Sequence, residues 1–290
     1  MWQLIQIELF KISKRPRTYI SFVAITALIA AVQIGLKVDG ASYVDFMMST
    51  TSSIEVNGNV LNGYLICYII LQMLLVNIPL LITLIAADMI SGEANMGTLR
   101  LLLTKPYARW EIVLAKFVAA TFYTLALLVW LAILALFVSM WVFGTDDLFL
   151  FKSSYIVLIE KNDVFWRYCG AFAFAAVAMT TVAALGFLTS VFSDNSIGPI
   201  VTTMSIIVFL TILSTMNIPL YATIQPYLFV THMNSWKEFF DQQVNENNEA
   251  IVGSIQNPGR IINSLWILGL HIVGFVGAAM YFFHKKDINS

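Results

Sequence analysis

The side chains able to do chemistry in this sequence are few, and their spacing points to contact rather than catalysis. Residues 88–116 read DMISGEANMGTLRLLLTKPYARWEIVLAK, in which Glu93, Arg100, Arg109 and Glu111 stand among Leu99, Leu102, Leu103 and Trp110. The leucines follow helical spacing, and Lys105-Pro106 should end that helix, because the proline ring keeps the preceding residue out of helical geometry. A second short helix is expected next, with Pro106 in its first turn, Thr104 or Lys105 near the cap, and Trp110, Val113 and Leu114 as one apolar stripe. The product is a bent helical elbow whose charged residues are open to a partner protein. A purely structural connector fits the same residues.

Signatures for bond making are missing. The sequence holds no GxSxG, HExxH or GxGxxG and no phosphate-binding GxxxxGK[ST]. Cys67 and Cys169 lie in apolar runs without disulfide or metal spacing, and His271 is a lone histidine at membrane depth, with His232 and His284 in a loop and at a terminus. The chain is therefore read as no enzyme, with no metal or cofactor of its own. If it moves anything uphill, another chain supplies the ATP chemistry.

The elements that must position the elbow follow from composition. Of 290 residues, 59% are hydrophobic and 11% charged, against about 25% charged in a globular domain. A net charge of −1 offers nothing to nucleic acid. A helix crossing the roughly 30 Å hydrocarbon core needs about 20 apolar residues. Six stretches meet or approach that: Tyr19 to Leu36, Gly63 to Ala87, Phe117 to Phe143, Tyr168 to Phe192, Ile197 to Leu220 and Ile261 to Phe283. The expected fold is one all-α polytopic membrane domain over 1–290. A cytoplasmic amphipathic helix should occupy about 1–17, the elbow about 88–116 and a large external loop about 221–260. Ser193 to Ser196 should join the fourth and fifth spans in a tight hairpin.

Basic residues are retained on the cytoplasmic side. The face holding the N-terminus, the elbow, the short fourth-to-fifth turn and the C-terminus carries ten basic and six acidic residues; the other carries six and eleven. Both termini are therefore expected in the cytoplasm, without a cleaved signal peptide. The external connections are read as solvated loops, with an Asn57-Gly58 hairpin between Ile54 and Leu61 and an amphipathic helix through Trp236, Phe239, Phe240 and Val244.

No Asp, Glu, Lys or Arg falls in the central part of any span. Gradient-driven carriers and charged-ring channels keep ionisable groups there, so both are disfavoured. The uncharged polar residues Gln72, Asn77, Asn217 and His271 are read first as packing groups between helices and second as candidates for a substrate pathway. Asn77 precedes Pro79 by two residues, where a missing amide donor bends a helix.

The run Glu93-x-x-x-Gly97-Thr98-Leu99-Arg100-x-Leu-Leu103-Thr104-x-Pro106-x-x-Arg109, with Lys116 after it, resembles the hallmark segment of type 2 ATP-binding-cassette (ABC) transporter permeases. The resemblance extends over the whole chain. It implies an ATP-driven exporter in which the elbow docks on a separate cytoplasmic ATPase subunit that holds ATP and Mg. It also implies a second permease subunit, as a homodimer or heterodimer, and a bacterial cytoplasmic membrane. On that basis Glu93, Arg100 and Arg109 are expected to make polar contacts with the ATPase, and Thr98 belongs to the same coupling segment. Leu99, Leu103 and Trp110 should form the apolar docking surface, Gly97 should permit close backbone approach and Pro106 should set the bend. The N-terminal leader shows a stripe of Trp2, Ile5, Leu9 and Ile12 with Lys11, Lys14 and Arg15 away from it, which suits the membrane surface or a partner subunit. The rival readings are a membrane scaffold for a secretion or cell-surface assembly and an ATPase-independent secondary carrier. Substrate identity lies beyond the sequence.

Overall fold

The computed structural model describes residues 1–49, 60–74, 77–151, 156–216, 223–245 and 250–286. Helix α1 (Trp2–Lys14) ends at Arg15, and α2 (Pro16–Ser49) follows with Pro16 at its first position, where a missing N–H costs nothing. A non-helical residue, Asp39, kinks α2 just beyond its apolar part, Pro16–Gly40. Helix α3 (Gly63–Met73) starts at Asn62, whose side-chain oxygen accepts from the Tyr64 and Leu65 amides at 3.0 Å. Helix α4 (Asn77–Ala86) continues the same span after a bend of 57°. Pro79 has no amide hydrogen to offer the preceding turn, and the helix breaks within that turn. The second span is thus two short helices rather than one rod.

The elbow comprises α5 (Ser91–Asn95) and α6 (Thr98–Leu103). Next come α7 (Arg109–Ala132), a π-helical turn (Ile133–Val138) and α8 (Ser139–Phe143), which together run unbroken for 35 residues. At about 1.5 Å per residue that is roughly 50 Å, longer than the hydrocarbon core. The short second helix expected after Pro106 is therefore the projecting start of the third span itself. Its widened π turn frees the Leu134 carbonyl, which accepts a hydrogen bond from Gln33 of α2 at 3.0 Å.

A short antiparallel hairpin, β1 (Leu148–Phe151) and β2 (Ile156–Ile159), lies where a solvated loop was expected. Its strands are the apolar runs LFLF and IVLI, too short to separate from helix by periodicity. Helix α9 (Lys161–Val191) starts seven residues before the expected fourth span, and α10 (Ile197–Thr215) follows it across the predicted tight hairpin. In the large connection, α11 (Phe229–Met233) leads into a 3₁₀ segment (Asn234–Phe240) that buries Trp236 and Phe240. Val244, expected on that helix, is exposed and bridges to Ala250 instead. Helix α12 (Pro258–Lys285) is the last span. The Asn57-Gly58 hairpin lies outside the described residues.

Among the described residues five helices are long and apolar enough to cross a membrane, and the bent pair α3 and α4 makes a sixth. Of the five single helices α9 is the most enclosed, with Tyr168, Phe174 and Phe187 fully buried, while α2, α10 and α12 keep most of their surface outward. The elbow, α1, the start of α7 and the end of α12 share one end of the bundle; the β-hairpin, α11 and the start of α9 share the other.

Candidate functional site

Helix α1 lies along the start of α7, and its buried face is Leu4, Ile5, Glu8 and Ile12. The expected stripe is thus rotated: Trp2 is 62% exposed, and a carboxylate takes a place on the inner face. The reason is on the neighbouring elements. Lys116 of α7 is 1% exposed, and its ammonium lies 2.9 Å from Glu8 Oε2 and 2.8 Å from Glu93 Oε1 of α5. Lys11 lies 2.7 Å from Glu8 Oε1 and 2.8 Å from the same Glu93 oxygen. Two cations and two carboxylates alternate around this cluster. Next to it, Asp88 pairs with Arg15 at 2.7 Å and Arg17 at 3.3 Å.

Glu93 therefore faces inward, 3% exposed, and does not present its carboxylate to a partner. It ties the elbow to α1 and to the third span. Burial pushes the Glu93 carboxyl up, but the Lys116 and Lys11 ammonium groups outweigh it and hold the group below its ordinary 4.5. Burial likewise pulls the Lys11 ammonium down, and hydrogen bonds to Glu8 and Glu93 reverse this, leaving it above 10.5. A lowered carboxyl contributes stability above pH 4.5 that is lost as pH falls through its folded value; a raised ammonium contributes below 10.5 and is lost as pH rises through its folded value. Docking of α1 is accordingly expected to stay constant between about pH 5.5 and 9.5 and to loosen in acid. The mobility of a spin label at exposed Ser13 checks this; a transition near neutrality would contradict the assignment.

The other elbow residues divide between inside and outside. Leu99 is buried against the core, so it supports the elbow rather than forming an outer docking surface. Met96, Leu101 and Trp110 are exposed large apolar side chains, and Thr98, Lys105 and Pro106 are exposed beside them. The side chains of Arg100 and Leu103 lie outside the described part of the structure. Pro106 sits between α6 and α7 rather than in a first turn. The cap of α7 is Ala108, whose amide donates to Glu111 at 3.0 Å.

Gly97 has φ +70°, and a Cβ there would meet nothing within 4 Å. Close approach is thus not its role. It supplies the left-handed residue that turns α5 into α6. Gly97→Ala is expected to cost about 1–2 kcal/mol, the penalty for placing an L side chain in that region, with Gly97→Asn milder. Chemical unfolding of the detergent-solubilised chain measures it, and an Ala variant as stable as the parent would refute it.

Arg109, at the first position of α7, directs Nη1 to the carbonyl oxygens of Phe283, His284 and Lys286 at 3.4, 2.9 and 3.1 Å. In turn Lys286 donates to the Val191 carbonyl at 3.0 Å and to Asp194 at 2.7 Å.

Six spans around a charge-locked elbow accord with the match between this chain and the sequence profile of the ABC-2 family transporter proteins, which covers residues 2–288. The chain belongs to that family. It is an integral membrane protein, the permease component of an ABC transporter, whose partner is an ATPase. A comparison with curated proteins gives no match.

The pathway candidates of this permease are scattered. Gln72 and Asn77 are exposed on either side of the break in the second span, and Asn77 Nδ2 donates back to the Met73 carbonyl at 3.4 Å. His271 bonds the Ile267 carbonyl at 2.8 Å and packs between Phe229 and Phe275, as a helix-packing group does. Asn217 lies outside the described residues. Leu71 and Ile78, flanking the break, line an apolar cavity with Met179 and Trp236.

Sequence reasoning missed Glu8, Lys11 and Lys116 as one unit. The available signal was Lys116 inside an apolar helical run, flanked by Ala115 and Phe117. It also missed Asp163 and Arg167, an i, i+4 pair at the opposite end. Arg167 bonds Asp163 at 2.6 Å, the Phe239 carbonyl at 2.6 Å and the Ser254 carbonyl at 2.7 Å, while Asp163 accepts from the Gly253 amide at 3.1 Å. This pair fastens the large connection onto α9.

Proposed function

We propose that this permease is the membrane subunit of an ATP-driven exporter, acting as a pair of permeases with two cytoplasmic ATPase subunits, in a bacterial cytoplasmic membrane with both termini inside. The elbow is its coupling element. One observation carries this reading: the outer face of the elbow offers Met96, Leu101, Lys105 and Trp110 to a partner, while its inner face is ion-paired through Glu93 to the first turns of an unbroken 35-residue third span. A push on that face reaches the third span through the Glu93–Lys116 pair. Such a push requires that the ATPase contact the elbow differently in its two nucleotide states. Glu93 belongs with the anchors.

Affinity purification of the tagged chain in mild detergent, with an ATPase assay on the eluate, tests the reading. A stoichiometric ATPase subunit is expected. Leu101→Glu and Trp110→Ala should reduce its recovery by about tenfold, the effect of losing about 1.4 kcal/mol at a docking surface, without altering membrane insertion. A chain that purifies alone in several detergents sinks the proposal and favours the scaffold reading.

A further inference from the structure

An arginine in the first turn of a helix is poorly placed for its own helix, because the partial positive charge of the helix N-terminus repels it. Arg109 holds that position in α7, and its guanidinium turns away to the C-terminal end of α12. There the carbonyls of the final turn have no intrahelical donors and carry the negative end of the dipole. Nη1 lies within 3.4 Å of two oxygens of that turn, those of His284 and of Phe283, which also accepts from the Lys286 amide, and of the Lys286 oxygen just past it. The arrangement then repeats. Lys286, just past the end of α12, caps the C-terminus of α9 through the Val191 carbonyl and pairs with Asp194 in the turn before α10. Each cation serves the end of a helix other than its own, so two side chains link the ends of the third, sixth and fourth spans in series.

We infer that Arg109 is a positioning residue that clamps the C-terminal end of the sixth span to the base of the third. A displacement of the elbow is thereby delivered to the sixth span, and through Lys286 to the hairpin between the fourth and fifth, instead of ending in the third span. All three contacts converge on Nη1, whose two hydrogens the oxygens share, and the planar guanidinium fixes where that nitrogen sits. A structural tie of this kind differs in its consequences from a contact between Arg109 and the ATPase. The inference deepens the exporter reading in what it says of elbow motion, but the tie itself is a property of the isolated chain.

Pulsed electron paramagnetic resonance tests it without an ATPase. Exposed Cys169 is replaced by serine, whereas buried Cys67 is left in place. Nitroxides are attached at Ala108→Cys and Lys285→Cys, two exposed positions on either side of the tie, and in a second sample at Ala108→Cys and Lys14→Cys, at the cap of α7 and on α1. Arg109→Ala should broaden the Ala108–Lys285 distance distribution by about twofold, as a helix end freed for local opening does. The Ala108–Lys14 distribution should stay as in the parent, and Arg109→Lys should fall between the parent and Arg109→Ala. An unchanged Ala108–Lys285 distribution in Arg109→Ala overturns the inference. Equal broadening of both pairs also overturns it, since that reports general loosening. Failure of the ATPase to co-purify with the parent chain would remove the exporter reading while leaving the distance result intact.

Discussion

Lys116→Met is expected to destabilise the chain by about 3–5 kcal/mol, because breaking a buried ion pair on one side leaves its partner uncompensated. Methionine fills most of the volume, so the loss is electrostatic rather than a packing void. Without Lys116, the carboxylates of Glu8 and Glu93 face each other across the base of the third span with Lys11 alone between them, and Glu93 Oε2 already lacks a hydrogen-bond partner. The first visible consequence should be release of α1, whose polar attachment to the elbow runs through this cluster. Hydrogen exchange over residues 2–14 should therefore rise before the spans unfold. The double variant Lys116→Met/Glu93→Gln should recover part of the loss, since removing both charges of a pair relieves the uncompensated one. A Lys116→Met chain within about 0.5 kcal/mol of the parent, the range of an ordinary surface substitution, would show that the cluster holds nothing together.

At the opposite end, Arg167→Met should release the large connection from α9 at a similar cost of about 3–5 kcal/mol. Arg167 is fully buried, and its guanidinium satisfies the Phe239 and Ser254 carbonyls as well as Asp163. Removing it leaves the buried Asp163 carboxylate without its counter-charge and takes a donor from two partly buried carbonyls. Gln242 and the Gly253 amide also converge on Asp163, so the loss should spread along the segment between them. Limited proteolysis of the solubilised protein should cut between Phe239 and Ser254 in Arg167→Met and spare the parent. Arg167→Lys should be intermediate, because one ammonium cannot reach three divergent acceptors in a fixed fork. Equal cleavage of parent and variant would refute the fastening role.

Both predictions concern buried charged side chains whose contacts join elements far apart in the chain, and there the sequence was least informative. Glu93 illustrates the limit. As part of the motif it was legible as important, but its direction was not, because a helical surface residue and a buried anchor look alike until the opposing cation is known. Lys11 and Lys116 are 105 positions apart in the sequence, and only the crossing of α1 over α7 brings them to one carboxylate. Arg109 was read as a contact for a partner on the same ground. The end of α12, 174 or more residues away, claims it.

The sequence by itself determined what depends on composition and local order. The density of apolar residues required membrane-length helices, since peptide groups in lipid must bond within their own segment. Pro79 marked the break in the second span, Ser193 to Ser196 marked the hairpin, and the Glu93 to Arg109 motif identified the family. The tertiary structure alone decided which face of each helix turned inward. That choice rotated α1 to bury Glu8, moved Leu99 from the outer surface into the core and gave Gly97 a conformational role in place of a contact. The physical reason is that a buried charge is tolerated only opposite its partners, and partners from distant segments meet only when the fold is complete.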